Sequence, residues 1–246
     1  MLGVGIAVIA LGCATAGSAR ADQNATVAKA NQDYSEGRFQ EAVDGYQNLV
    51  NARQWSANLF YDLGNASFRV GNFGEAILSY ERALALDPHH PEAAANLALV
   101  RDEARALELK RNGLDRYIEA GTSTQYSIAA SIAFWAALFG TASLLFARRR
   151  SLAVVSLIML STVVFAGAVF ALYSLEFGSK GKDLAIVTGK KVEARLATAD
   201  NANSILALPP GSEIKILSQR GDWLYAALPN DLRGWIPTNA AQRVRL

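Results

Sequence analysis

Two uncharged apolar stretches lie almost end to end near the middle of this chain, and they limit its fold more than any other feature. Residues 126–147 give 22 positions without a charge, and residues 151–175 give 25 more. At a rise of about 1.5 Å per residue, each is long enough to cross a hydrocarbon layer of about 30 Å with some tilt. Small residues recur in both: Ala129, Ala130, Gly140 and Ser143, then Ser156, Ser161 and Gly167. Such residues let two helix backbones approach closely in lipid. The expectation is an antiparallel transmembrane hairpin with spans at 126–147 and 151–175. Only Arg148, Arg149 and Arg150 separate the spans, and a basic turn of this kind is retained in the cytoplasm. The segments before and after the hairpin then emerge together on the far face. Neither span holds an ionisable side chain, which argues against a transport pathway.

The amino terminus points the same way. An apolar run from Leu2 to Leu11 is followed by small residues ending in Ala19-Arg20-Ala21 before Asp22, the pattern that signal peptidase admits. A signal peptide over 1–21 is expected, although no basic residue precedes the run. Cys13 is the one cysteine, so no disulfide can form within the chain. With Ala10 where a lipoprotein has a large aliphatic residue, Cys13 is read as removed with the signal.

The stretch before the spans repeats itself. Gly37, Phe39, Glu41, Ala42 and Tyr46 recur as Gly71, Phe73, Glu75, Ala76 and Tyr80, each 34 residues on. The second copy adds Leu63-Gly64, Ala83 and a stop at Asp87-Pro88. This pattern resembles the tetratricopeptide repeat. One degenerate unit (about 23–56), one full unit (57–90) and a capping helix from Pro91 to about Arg111 are expected. Small residues belong at Gly64 and Ala76, where paired helices cross closely, and Gly37 and Gly71 end the first helices. The resemblance implies a peptide-binding or protein-binding groove lined in the second unit by Asn58, Tyr61, Asn65, Phe68 and Arg69. Asn65 and Arg69 stand at (i, i+4) and share a helix face suited to a backbone or carboxylate. The alternative is a solvated surface with no specific ligand. His89 and His90 are adjacent in a turn and point apart, which argues against a metal site.

After Lys182 the pattern changes to short strands: Asp183–Thr188, Ser204–Leu208, Glu213–Gln219, Trp223–Leu228 and Gly234–Pro237, broken by Pro, Gly and Asp turns. The succession Gly211-Ser212-Glu213-Ile214, Gly221-Asp222-Trp223-Leu224-Tyr225 and Gly234-Trp235-Ile236-Pro237 is similar to the bacterial SH3-like domain. That resemblance implies a small closed barrel binding cell-wall peptides or neighbouring proteins. Trp223, Tyr225 and Trp235 are then either its binding surface or its core, since aromatic rings are the main apolar area in so small a module. From Lys180 onward there are ten Lys and Arg against six Asp and Glu. Beside a membrane this surplus suits anionic headgroups or acidic wall polymers rather than nucleic acid.

The expected chain is therefore multi-domain. A signal peptide (1–21) precedes an all-α tetratricopeptide helical repeat (22–112), a linker (113–125) and span 126–147. A cytoplasmic turn (148–150), span 151–175, a linker (176–182) and a small all-β SH3-like barrel (183–246) complete it. This order of parts resembles BatE-type proteins of the Bat aerotolerance family. The resemblance implies a place in a membrane assembly with von Willebrand A-type proteins and a MoxR-type ATPase, both soluble modules being periplasmic. The function read from it is a non-catalytic, membrane-anchored scaffold for other envelope proteins; the alternative is a peptidoglycan-binding tether. No catalytic residues, metal or cofactor are assigned: the mature chain lacks cysteine, its two histidines are neighbours, and no zinc or phosphate-loop motif occurs.

Overall fold

The computed structural model describes residues 25–111, 113–146, 151–178, 180–199 and 201–246. The expected signal segment with Cys13 and the arginine turn 148–150 lie outside the described residues.

Five helices build the first part: α1 (residues 25–35), α2 (Phe39–Asn51), α3 (Ala57–Arg69), α4 (Phe73–Leu86) and α5 (Pro91–Ala104). Local chemistry sets their ends. Gly37 and Gly71 sit in the left-handed region at φ 80° and 77°, a conformation that costs a residue with a Cβ about 1–2 kcal/mol. The Ser56 hydroxyl accepts from the Leu59 amide at 3.1 Å and starts α3. Pro91 occupies the first position of α5, and the His90 ring nitrogen caps it by accepting from the Ala93 amide at 3.3 Å. His90 thus has a structural task in the inter-repeat turn.

Helices α3 and α4 close on Leu63, Ala66 and Ala76, all fully buried. A Cβ at Gly64 would lie 2.6 Å from the Tyr80 ring, so the crossing requires glycine there. The repeat also recurs in its hydrogen bonds. Tyr46 donates to Asn31 Oδ1 at 2.7 Å, and Tyr80 donates to Asn65 Oδ1 at 2.7 Å. Helix α5 covers the stack with Ala93, Leu97 and Val100. It ends sooner than expected, at Arg105 with φ 51°, and residues 106–111 run on without helix.

Helix α6 (Gly113–Glu119) leads into α7 (Ser123–Phe146), which packs against α8 (Leu152–Phe177). Both α7 and α8 are long and apolar enough to cross a membrane. Their seam holds small buried residues, Ala130, Ala133 and Gly140 on one helix and Ser161, Ala168 and Ala171 on the other. A Cβ at Gly140 would come within 2.8 Å of Ile158. The outer faces carry Phe139, Leu145, Leu160 and Val163, all exposed. None of the described residues covers them, and lipid is the solvent that suits them.

The last part is a seven-stranded sheet: β1 (Leu184–Val187), β2 (Val192–Arg195), β3 (Ser204–Leu208), β4 (Glu213–Arg220), β5 (Trp223–Ala227), β6 (Arg233–Pro237) and β7 (Ala241–Arg243). Its order is β3-β2-β6-β5-β4-β1-β7, every pairing being antiparallel. The expected closed SH3-like barrel is not formed: the end strands β3 and β7 do not pair, and the sheet is open. Two strands beyond the five anticipated, β2 and β7, extend it. The physical reason for the opening lies at the β1–β7 end. All four residues of β1 are buried, which requires cover on both faces. Ala185 and Val187 enter the core of the sheet, whereas Leu184 and Ile186, with Val244, enter the core of the helical repeat. A helix, rather than β3, seals that end. Arg82 of α4 even donates to the Arg243 carbonyl of the edge strand at 3.0 Å.

Candidate functional site

The groove side chains anticipated on α3 fall into different surroundings. Asn58 is exposed at the start of the helix. Tyr61 is half-buried, its ring 4.9 Å from His90 and 6.1 Å from Tyr80. Asn65 is engaged internally: its Oδ1 accepts from the Tyr80 hydroxyl and, at 2.9 Å, from Asn96 Nδ2. Phe68 lies 6.0 Å from Phe73, and the Arg69 guanidinium stacks 4.1 Å over Phe39. Asn65 therefore braces α3 against α4 and α5, while Arg69 reaches the start of α2. Asp62, one turn from Asn58 and not singled out in the sequence, is half-buried on the same helix. Burial pushes its carboxyl above the ordinary range, and the nearby His90 opposes the shift.

On the sheet, Trp223, Tyr225 and Trp235 share one face. Along β5, half-buried Trp223 and Tyr225 alternate with buried Leu224 and Ala226; along β6, Trp235 stands between buried Gly234 and Ile236. The core of the sheet is aliphatic, and the aromatic rings occupy its opposite face. Tyr225 is the cross-strand partner of Trp235, with ring centroids 4.9 Å apart. Arg195 is paired with Trp235, and Arg220 with Trp223, so cations flank the aromatic row.

The most heavily buried charges lie elsewhere, where the repeat meets the sheet. Glu213 of β4 and Glu81 of α4 have side chains only 1% and 4% exposed. The Arg101 guanidinium of α5 bridges them, donating to Glu81 at 2.5 Å and to Glu213. Arg111 adds a second contact to Glu213 at 2.9 Å, and Lys180 lies 3.6 Å from Glu81. The segment after α5 is stitched in by backbone: the Glu213 amide donates to the Leu107 carbonyl at 2.8 Å, and the Leu109 amide donates to the Glu213 carboxylate at 3.1 Å. Burial pushes the Glu213 carboxyl up, Arg101 pulls it back, Glu81 adds to the rise and Arg111 opposes it. Repeat and sheet are one body, and residues from both sides complete the junction.

Among the described residues no group of three or more His, Cys, Asp or Glu side chains converges as a metal site. Glu108, 3.3 Å from Arg111 and 3.9 Å from Arg101, brings the junction to three carboxylates against three cations, a self-neutralising cluster that suits structure rather than catalysis.

Comparison with known proteins agrees with the helical part. No curated protein matches the chain. Among solved structures, the crystal structure of MamA protein is similar at 18% identity, covering 65% of this chain and 78% of that one with a TM-score of 0.33; a likeness that weak carries no argument. Residues 57–90 match the tetratricopeptide repeat, an architecture that is characteristically non-catalytic. The chain thus carries a tetratricopeptide repeat, joined to two helices fit to cross a membrane and to an open β-sheet.

Proposed function

We propose that this protein is a non-catalytic, membrane-anchored scaffold that holds its repeat groove and its sheet in fixed relation on one side of a membrane. The junction built on Glu213, Arg101 and Glu81 carries this reading. Two surfaces locked together beside one hairpin position their partners relative to each other and raise their effective concentration. A photo-crosslinking residue at exposed Asn58, in cells, is expected to capture proteins that the same residue at exposed Glu103 does not. Identical captures from both positions would remove the groove from the proposal.

The arginine turn and the export-like amino terminus support placing both surfaces outside the cytoplasmic membrane. The order of parts supports membership of a Bat-type aerotolerance assembly with von Willebrand A-type partners. A carboxyl-terminal reporter active only in the cytoplasm is expected to stay silent, and activity would reverse the placement. A second reading has its own support: the Trp223, Tyr225 and Trp235 face, flanked by Arg195 and Arg220, suits an anionic wall polymer. Detergent-purified protein would then sediment with sacculi at low salt and lose this on Trp235→Ala; failure to sediment would eliminate the tether.

A further inference from the structure

A cleft of about 980 Å³ opens where the repeat, the hairpin and the carboxyl terminus meet, as large as the roomiest small-molecule sites, which span about 300–1,000 Å³. Trp55 and Leu86 line it from the repeat, Leu172 and Leu175 from the end of α8, and Val244 and Leu246 from the chain end. Three of these are poorly covered: Trp55 is 42%, Leu86 52% and Leu246 57% exposed. The indole nitrogen of Trp55 already donates to the Val50 carbonyl at 3.0 Å, so no polar atom of that ring opposes its immersion in an apolar phase.

The height of the cleft is set by the hairpin. With 24 and 26 residues, α7 and α8 exceed the 20 or so that a hydrocarbon core of about 30 Å requires. The final turns of α8 therefore stand at headgroup level. Tyr173 and Phe177, exposed and 4.9 Å apart, mark that level as interfacial aromatics do. Leu172 and Leu175, which line the cleft, flank the exposed Tyr173 on α8, and lipid is the apolar material available there.

Polar groups at the same opening complete a headgroup site. Lys180 has one long ion pair, to Glu81 at 3.6 Å. Arg245 uses its guanidinium on Glu176 at 2.8 Å and the Leu175 carbonyl at 3.2 Å, two contacts from a group with five donors. Three cations (Arg82, Lys180, Arg245) and three carboxylates (Glu81, Glu119, Glu176) line the cleft. A lining without net charge suits a headgroup without net charge, whose phosphate would take the spare donors of Lys180 and Arg245.

We propose that this cleft holds one zwitterionic phospholipid of the adjoining leaflet, its acyl chain along Trp55, Leu172 and Leu175 and its phosphate between Lys180 and Arg245. The proposal rests on the reading of α7 and α8 as membrane spans. The full chain in phosphatidylcholine nanodiscs, with and without bromine on the acyl chains, tests both. One version keeps only Trp55 (W135F, W223F, W235F) and another keeps only Trp135 of α7 (W55F, W223F, W235F). Both tryptophans are expected to lose most of their emission to brominated lipid, with little further loss to aqueous acrylamide. An unquenched Trp135 would sink the membrane reading itself. A quenched Trp135 beside an unquenched Trp55 would sink the cleft alone. Lys180→Ala with Arg245→Ala is expected to reduce brominated lipid retained after detergent dilution on the order of tenfold, with Trp135 quenching unchanged. Unaltered retention, or stronger Trp55 quenching by anionic than by zwitterionic lipid, would overturn the assigned headgroup contacts.

Discussion

Helix α4 is buried on two sides, by an apolar interface and by one that mixes apolar contacts with buried ions. Towards α3 it offers Ala76 and Tyr80 to an apolar interior, closed by the fit of Tyr80 over Gly64. Towards the sheet it offers Ile77, against Gly211, together with Glu81 and Arg82, which are nearly as deeply buried but held by ions and carbonyls. A helical repeat requires a cap with a polar outer face because its last helix pair leaves an apolar face open. Here β1 and Val244 supply that cover for α4, and the charges give the junction a single register. The sheet is the end of the solenoid as much as a module of its own.

That contrast is most open to attack at Glu213. Glu213→Ala leaves Arg101 with Glu81, leaves Arg111 with the half-exposed Glu108 at 3.3 Å, and takes the acceptor from the Leu109 amide; a loss of about 3–5 kcal/mol is expected. Thermal unfolding in detergent should change from one transition to two, the repeat and the sheet melting apart. A single transition at nearly the original midpoint would show that the junction binds nothing together. Leu63→Ala, in the apolar interface, is expected to cost about 2–5 kcal/mol. It should lower the midpoint without separating the two halves.

The two interfaces also differ in how far the sequence reveals them. The α3–α4 pair is legible because its signals are local and recur at a fixed spacing: Gly37 with Gly71, Ala42 with Ala76, Tyr46 with Tyr80. The same spacing contains Asn31 and Asn65, the acceptors for those tyrosines, whose pairing shows only once the helices are folded together. The hairpin was legible from length alone. The open sheet was not. Val192–Arg195 reads Val-Glu-Ala-Arg after two lysines, too short and too charged to announce a strand, and Ala241–Arg243 is shorter still. Glu213 opens a strand in which a carboxylate looks solvent-facing, and its burial depends on Arg101, 112 residues away. Trp223 and Trp235 could have been core or surface, since strand alternation fixes which residues share a face but leaves open which face is covered.

Two glycines of the sheet isolate the docking contribution. Gly211 and Gly221 both have positive φ, 87° and 56°, so an alanine costs about 1–2 kcal/mol at either from backbone strain. A Cβ at Gly211 would also overlap Ile77 of α4, whereas nothing lies within 4 Å of the one at Gly221. Gly211→Ala is therefore expected to exceed Gly221→Ala by about 1–3 kcal/mol in denaturant midpoint experiments. Equal losses would mean that α4 and the sheet are not in close contact.

The smallest expected effects come from two aspartates on first helices of the repeat, which sharpen the contrast between a carboxylate held by cations and one raised by burial. Asp33 is held below the ordinary value of 3.8 chiefly by the hydrogen bond from Arg38, with Lys29 assisting. Asp62 is raised above it by burial. Their linkage to folding has opposite signs. The fold binds the Asp33 proton less readily than the unfolded chain does, so the stability Asp33 gives is present at neutral pH and lost on acidification. The fold binds the Asp62 proton more readily, so the ionised group opposes folding at neutral pH and ceases to do so once protonated. Asp33→Asn should lower the thermal midpoint at neutral pH, and Asp62→Asn should raise it. Both differences should vanish as pH falls through the carboxylate range, because a neutral aspartic acid and an asparagine then differ little in charge. Midpoints followed from about pH 3 to pH 7 decide the matter; a rise in both variants would mean that burial governs both sites, and a fall in both that pairing does.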